Sequence, residues 1–419
     1  MNAVRMTSRT GLACAGGVIE GAIYEAGVLY ALDEAISGID FNRLDTYVGV
    51  SSGAFLSALL ANGVPPRELC RAVAGRARDP SLNVSFEEFF RPAFREYRKR
   101  LGSWPGVAWE ALWRYARDPL DFSPFGSLAE LGAAMPVGLF DNEGLRERLC
   151  AILAGPGRTE DFRQLDTALR VVTMHVDSAE TTVFGPDTTP HVPISKAVQA
   201  STALPVLYCP VEIDGEYYID GVARRTLNAS LALDDDVDLL FCVNPIVPVD
   251  ASWQELRETA DTDSLVDHGL PTILSQTFRS MVYSRRQSGF RSYEHLYPDA
   301  DVVLVEPQAQ DIGRIFSNVF SYSNRHAVCE YGYRSTRETL LRRADEIGPK
   351  LERHGLHLRM NVLDDETRSL FPRRASRYGS GALPATGSTS DVLGRLDAVL
   401  GRLETTLDEG NGERRRRAA

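Results

Sequence analysis

Two strand–turn–helix units fill the first 65 residues, and they restrict the chain to few architectures. Residues 11–15 (GLACA) form a short apolar run that reads as a buried strand. Gly16-Gly17 follow, and then Ala22, Ala26, Leu29, Leu32 and Ala35 recur at helical spacing across 21–36. The order repeats with LDTYVGV over 44–50, small residues at 51–53 and AFLSALLANG ending at Gly63. Strand then helix, twice, predicts an α/β protein with a mainly parallel sheet. Further strands are expected at 168–174, 181–184, 211–213, 217–219, 237–243 and 301–305, and helices over 268–295 and 323–354.

Composition narrows the function classes. The 419 residues are 43% hydrophobic and 25% charged, which is enough apolar material for a sizeable core. The net charge of −11 argues against a nucleic-acid partner, which calls for a basic face. Six scattered cysteines form no Cys-x-x-Cys pair, so neither a zinc cage nor a redox motif is expected, and a reducing compartment fits. The apolar run GLACAGGVI is interrupted by glycines and makes a poor signal peptide. No stretch approaches the roughly 20 apolar residues that span a bilayer, so the expectation is a cytoplasmic protein that meets membranes only peripherally.

Two segments carry alternative readings. Residues 82–125 hold 11 aromatics in 44 positions, with arginines interspersed. They are either helices packing large side chains into the core or a lid that meets lipid. Residues 373–390 read as a flexible linker, and 391–407 place Val392, Leu396, Leu400, Leu403 and Leu407 on one helical stripe before four arginines at 414–417. That tail is either a partly ordered or self-pairing helix or an anchor for anionic membrane.

The chemistry is concentrated in Gly49-Val50-Ser51-Ser52-Gly53. Ser51 holds the nucleophile position of a G-x-S-x-G pattern between a predicted strand and a predicted helix. Small neighbours permit the sharp turn a nucleophile needs, and the helix start offers N–H groups and the positive dipole end. Small residues packing a strand against a helix are the alternative. A serine hydroxyl needs a base, and none of the seven histidines sits where a triad partner would be marked. Asp220, in DGEYYIDGV before Gly221, is the alternative base, although an Asp-Gly is also an ordinary turn. Gly16 and Gly17 could turn backbone N–H groups toward a developing oxyanion. The run lacks G-x-G-x-x-G and a Gly-Lys-Ser/Thr, so no nucleotide or other cofactor is expected, and no calcium loop or other metal site is seen.

These pieces, in this order, resemble the patatin-like phospholipase family. The resemblance rests on Gly16-Gly17-Val18-Ile19-Glu20-Gly21 followed by Gly27-Val28-Leu29, on Gly49-Val50-Ser51-Ser52-Gly53, on Ala200 to Pro205, and on Asp220-Gly221-Val222. It implies a three-layer α/β/α fold with a mainly parallel central sheet. On that pattern the catalytic core is 10–230 with an aromatic-rich helical insertion at about 66–165, then 231–372 completing the domain, then 373–419 as a flexible tail. The resemblance also implies lipid acyl hydrolysis by a serine–aspartate dyad without histidine. Ser51 is then the nucleophile, Asp220 the base, Gly16 and Gly17 the oxyanion hole, and Gly21, Gly49, Gly53 and Gly221 the motif glycines. The implied partner is a phospholipid or neutral lipid, with membrane contact through 82–125 or 391–417. The chain departs from the family at Val18, where the loop has a third glycine, at Glu20, where it has Arg or Lys, and at Val222. Those departures keep two other readings in view: an acyltransferase on the same dyad, and a non-catalytic lipid-binding protein that retains the fold.

Overall fold

A computed structural model describes residues 8–84, 88–98, 136–224, 227–248, 295–308 and 324–371, with isolated positions between 273 and 293. The tail elements expected beyond 372 and most of the aromatic segment lie outside the described residues.

The order of elements follows the predicted alternation. β1 (Thr10–Cys14), α1 (Val18–Ala35), β2 (Ile36–Ser37), β3 (Thr46–Val50), α2 (Ser52–Ala61) and α3 (Pro66–Val73) come first. β4 (Arg91–Pro92), β5 (Gly138–Asp141), α4 (Glu143–Leu153), β6 (Ala168–His175), β7 (Thr181–Phe184) and α5 (Ile194–Ser201) follow. Next are β8 (Val206–Tyr208), β9 (Val211–Ile213), β10 (Glu216–Asp220), α6 (Ser230–Leu233), β11 (Leu239–Val243) and β12 (Asp301–Val305). α7 (Arg325–Arg342), α8 (Ala344–Arg353), β13 (His357–Leu358) and α9 (Met360–Leu363) close the described chain.

The central sheet has the order β12-β11-β1-β3-β6-β10-β9, with β7 also on β6. β12, β11, β1, β3 and β6 run parallel, and β10, β9 and β7 join antiparallel. β3 and β11 are buried at every position, the mark of strands covered on both faces. The side chains of β1, β3 and β11 alternate between two apolar clusters. Leu12, Cys14, Tyr47 and Phe241 face a large one shared with α1, α2 and α7, while Ala13, Val48, Val50 and Leu240 face a smaller one shared with α6. Helix layers on both faces make the architecture three-layered.

The region expected as a helical insertion is mixed where it is described. α3 and α4 are helical, but β4 and β5 pair with each other and β5 pairs in parallel with β8, making a separate three-stranded sheet. Runs this short carry no period that a sequence reading can detect.

Candidate active site

Sheet register brings the marked residues to one level. Cys14 pairs with Gly49, and Val50 pairs with Val172. Asp220 pairs with Thr173, the next residue along β6. Ser51, one step beyond Val50, therefore lies level with Gly16 on one side and Asp220 on the other.

The turn at Ser51 is tight and strained. Ser51 has φ 54°, uncommon for a residue with a side chain and found where a fold over-determines the backbone. A Cβ on Gly49 would sit 2.3 Å from the Ala54 Cα, and one on Gly53 2.4 Å from the Cys14 carbonyl oxygen. Both positions are closed to any larger residue. Gly16 is near enough that a Cβ there would come within 2.9 Å of the Ser51 Cβ.

The Ser51 hydroxyl lies beside the Asp220 carboxylate, which accepts the Val222 N–H at 2.9 Å. Asp220 is 1% exposed. Burial pushes its carboxyl up to about 7, and the Ser51 hydroxyl and the Val222 N–H hold it from going higher. A carboxylate made this basic can take a proton near neutral pH, where an ordinary Asp is a weak base.

The sequence marks the segment from Ala200 to Pro205 but gives Ser201 no role of its own. Its hydroxyl accepts the Ser51 N–H at 2.8 Å and donates to the Val172 carbonyl at 2.6 Å, so it pins the strained turn to β6. The Ser51 N–H is thereby spent, and the glycine loop lies close by, where a Cβ on Gly16 would sit 3.6 Å from the Ser51 hydroxyl oxygen. Removing the pin in Ser201→Ala leaves a buried N–H without an acceptor. The expected result is a loss of about 1–3 kcal/mol in urea unfolding, with any Ser51-dependent activity falling further than a core alanine elsewhere would cause.

The departures in the glycine loop have physical counterparts. Val18 adopts φ 57°, a conformation costly for a β-branched residue. Glu20, where the family carries a cation, is fully buried and faces Arg279, whose guanidinium also donates to the Val247 carbonyl at 3.3 Å. Burial pulls the Arg279 pKa down, and Glu20 opposes that. Glu25, also fully buried, is raised well above the usual carboxylate range by burial, with the Ser52 hydroxyl opposing. Neither Glu25 nor Arg279 carried a sequence signal.

A cavity opens from Ser51 and Ser52 between the helices. Its walls include Ile23, Phe55, Leu59, Leu69, Leu145 and Tyr208, so it is polar at the serine end and apolar elsewhere. Among the described residues, His175, Asp177 and Glu216 have metal-ligand spacing, with ligand atoms within 4.8 Å. However, His175 Nδ1 accepts the Ser178 N–H at 3.1 Å, so Nε2 carries the proton and faces Glu216 at 2.9 Å. This is a hydrogen-bonded cluster with no imidazole lone pair turned toward an ion.

A strained serine turn, a buried aspartate and a glycine loop thus meet at one level of a mainly parallel sheet. The chain belongs to the patatin-like phospholipase family, whose model matches residues 12–233. Among curated proteins it is 26% identical over 222 residues to the uncharacterized protein R571 of Acanthamoeba polyphaga mimivirus, covering 52% of this chain and 60% of that one. It is 21% identical over 222 residues to the probable lipid hydrolase 463L of invertebrate iridescent virus 6, covering 53% and 62%. The alignments thus span about 60% of either relative. Among solved structures it is similar to VipD of Legionella pneumophila at TM-score 0.38 and 17% identity, covering 80% of this chain and 67% of that one. Among the described residues no helix is long and apolar enough to cross a membrane.

Proposed function

We propose that this protein hydrolyses carboxylic esters of lipids through a Ser51–Asp220 dyad and an acyl-enzyme. The observation that carries the reading is Ser51 placed beside a buried, basic carboxylate at the mouth of an apolar cavity. Family membership supports it.

In the first half-reaction Ser51 Oγ attacks the acyl carbonyl and its proton passes to Asp220. The N–H groups of Gly16 and Gly17 hold the oxyanion, and the α1 N-terminus adds its dipole. Collapse expels the alcohol, which takes the proton back from Asp220. In the second, water gives a proton to Asp220 and attacks the acyl-enzyme. Collapse releases the acid and returns the proton to Ser51.

A fluorophosphonate carrying an alkyl chain tests both the nucleophile and the cavity. Attack by Ser51 Oγ forms the P–O bond, fluoride leaves, and the serine proton goes to Asp220. Intact-mass and peptide analysis are expected to place one adduct on Ser51 and none on Ser51→Ala, with wild type also hydrolysing p-nitrophenyl esters. Labelling elsewhere, or no labelling with no ester turnover, would remove the assignment.

A further inference from the structure

The small sheet beside the cavity presents apolar side chains to solvent. Phe94 is 71% exposed, Val206 76%, Leu139 47% and Val137 45%. They are neighbours in space. Gly138 pairs with Val206, Ala93 N–H donates to the Leu139 carbonyl, and the Tyr97 hydroxyl donates to that same carbonyl. Val206 has φ 73°, where a β-branched side chain is strained, yet the strain turns its isopropyl group outward rather than into a core.

This surface continues the cavity wall. Leu204 and Tyr208, on either side of Val206, line the Ser51 cavity, as does Phe89, whose carbonyl accepts the Tyr208 hydroxyl at 2.9 Å. Apolar lining therefore runs from beside Ser51 out to exposed side chains. Arg95 and Arg98 are exposed in the same helical segment as Phe94 and Tyr97. Aromatic and aliphatic groups with arginines alongside suit a bilayer interface, where the rings and alkyl groups enter the acyl region and the guanidinium groups meet phosphates. A second copy of the chain would bury the apolar groups too, but it would not explain the direct continuity with the cavity.

We propose that Phe94, Val137, Leu139 and Val206 form a docking surface for a lipid bilayer, from which an acyl chain enters the Ser51 cavity. The proposal rests on the lipid-ester reading of that cavity. Docking itself is measurable without turnover, so the two can fail separately.

The test uses the full chain carrying Ser51→Ala and vesicles of phosphatidylcholine mixed with phosphatidylserine. Phe94→Asp and Val206→Asp are each expected to lower vesicle partitioning about tenfold in co-sedimentation. In the Ser51-intact protein, both variants are expected to hydrolyse soluble p-nitrophenyl butyrate within about twofold of wild type. Asp tolerates left-handed backbone better than Val, so Val206→Asp is expected to melt no lower than wild type. Unchanged partitioning in either well-folded variant overturns the docking surface. So does a shift from dimer to monomer in sedimentation with vesicle binding intact, which would make this face a contact between copies. Vesicle binding that depends on these residues in a protein that cleaves no ester would leave the docking surface standing and sink the hydrolase reading instead.

Discussion

Asp220→Asn is expected to lower kcat by about 10²–10⁴-fold while making the fold more stable at neutral pH. Asn keeps the size of Asp and can still accept the Val222 N–H bond that Asp220 makes at 2.9 Å. It cannot take a proton from Ser51. The opposite effect on stability comes from burial. In the folded protein the Asp220 carboxyl is pushed up to about 7, against an ordinary 3.8. Between about pH 4 and 7 the unfolded chain has released this proton while the folded chain still holds it. Stability therefore falls as pH rises through that window and is flat above it, with a total loss on the order of 4 kcal/mol. The Asn variant lacks this slope, so its advantage over wild type is expected to be largest above pH 7 and to vanish near pH 4. Activity runs the other way. Only the ionised carboxylate is a base, so wild-type kcat/KM is expected to rise with pH up to about 7 and then level off. Urea melts and ester kinetics at matched pH values check both halves. An acidic limb near pH 4 in wild type would overturn the raised Asp220 pKa, and an Asn variant that keeps most of its turnover would rule out Asp220 as the base.

The parts of this arrangement that could be read from sequence are those encoded locally. β3, β6, β11 and β12 are apolar runs, and α1 and α2 begin after glycines or small residues, so their existence and order follow from patterning alone. Ser51 and Asp220 stood out through the small residues around them and through the resemblance. What patterning could not show is how distant segments meet. The level shared by Ser51 and Asp220 depends on an antiparallel β10 pairing with β6. The Ser201 pin is a contact across 150 positions. Glu20 looks like a lost cation until Arg279 is seen facing it. The pairing of β5 with β8 makes a surface from three short runs that have no period of their own. In each case the missing information is a long-range contact, and local propensity does not carry it.

The same limit explains Gly27, which belonged to a family-like Gly-Val-Leu run without an evident physical reason. The reason is α7. A Cβ on Gly27 would lie 2.2 Å from the Cys329 carbonyl oxygen and 2.8 Å from the Tyr333 nitrogen, both backbone atoms that no rotamer change can move. Facing it, a Cβ on Gly332 would lie 2.3 Å from the Tyr24 carbonyl oxygen. Two glycines thus allow α1 and α7 to cross with their backbones in contact. Tyr30 stacks on Tyr333 at 5.7 Å beside the crossing, and Glu34 accepts both tyrosine hydroxyls. Gly27→Ala is expected to destabilise the protein by about 3 kcal/mol, the upper part of the usual range for overpacking. Gly332→Ala should cost a similar amount. The double variant should cost less than the sum, because helices already pushed apart by one methyl accommodate the second. Gly348 supplies the control. It lies inside α8, where a Cβ would meet nothing within 4 Å beyond its chain neighbours. Helix propensity favours Ala there, while the following Pro349 disfavours a side chain on the preceding helical residue. Gly348→Ala is therefore expected to change stability by less than about 1 kcal/mol. One chemical change then gives a large loss at one helical site and a small effect at the other, and the helix crossing is what makes the loss large. α1 also carries Ile23 and Ala26 on the cavity wall and opens with the glycine loop. Moving it off α7 should therefore alter chain-length preference in ester assays, whereas Gly348→Ala should not. Equal melting shifts at positions 27 and 348 would show that backbone entropy, not the helix crossing, is what Gly27 controls.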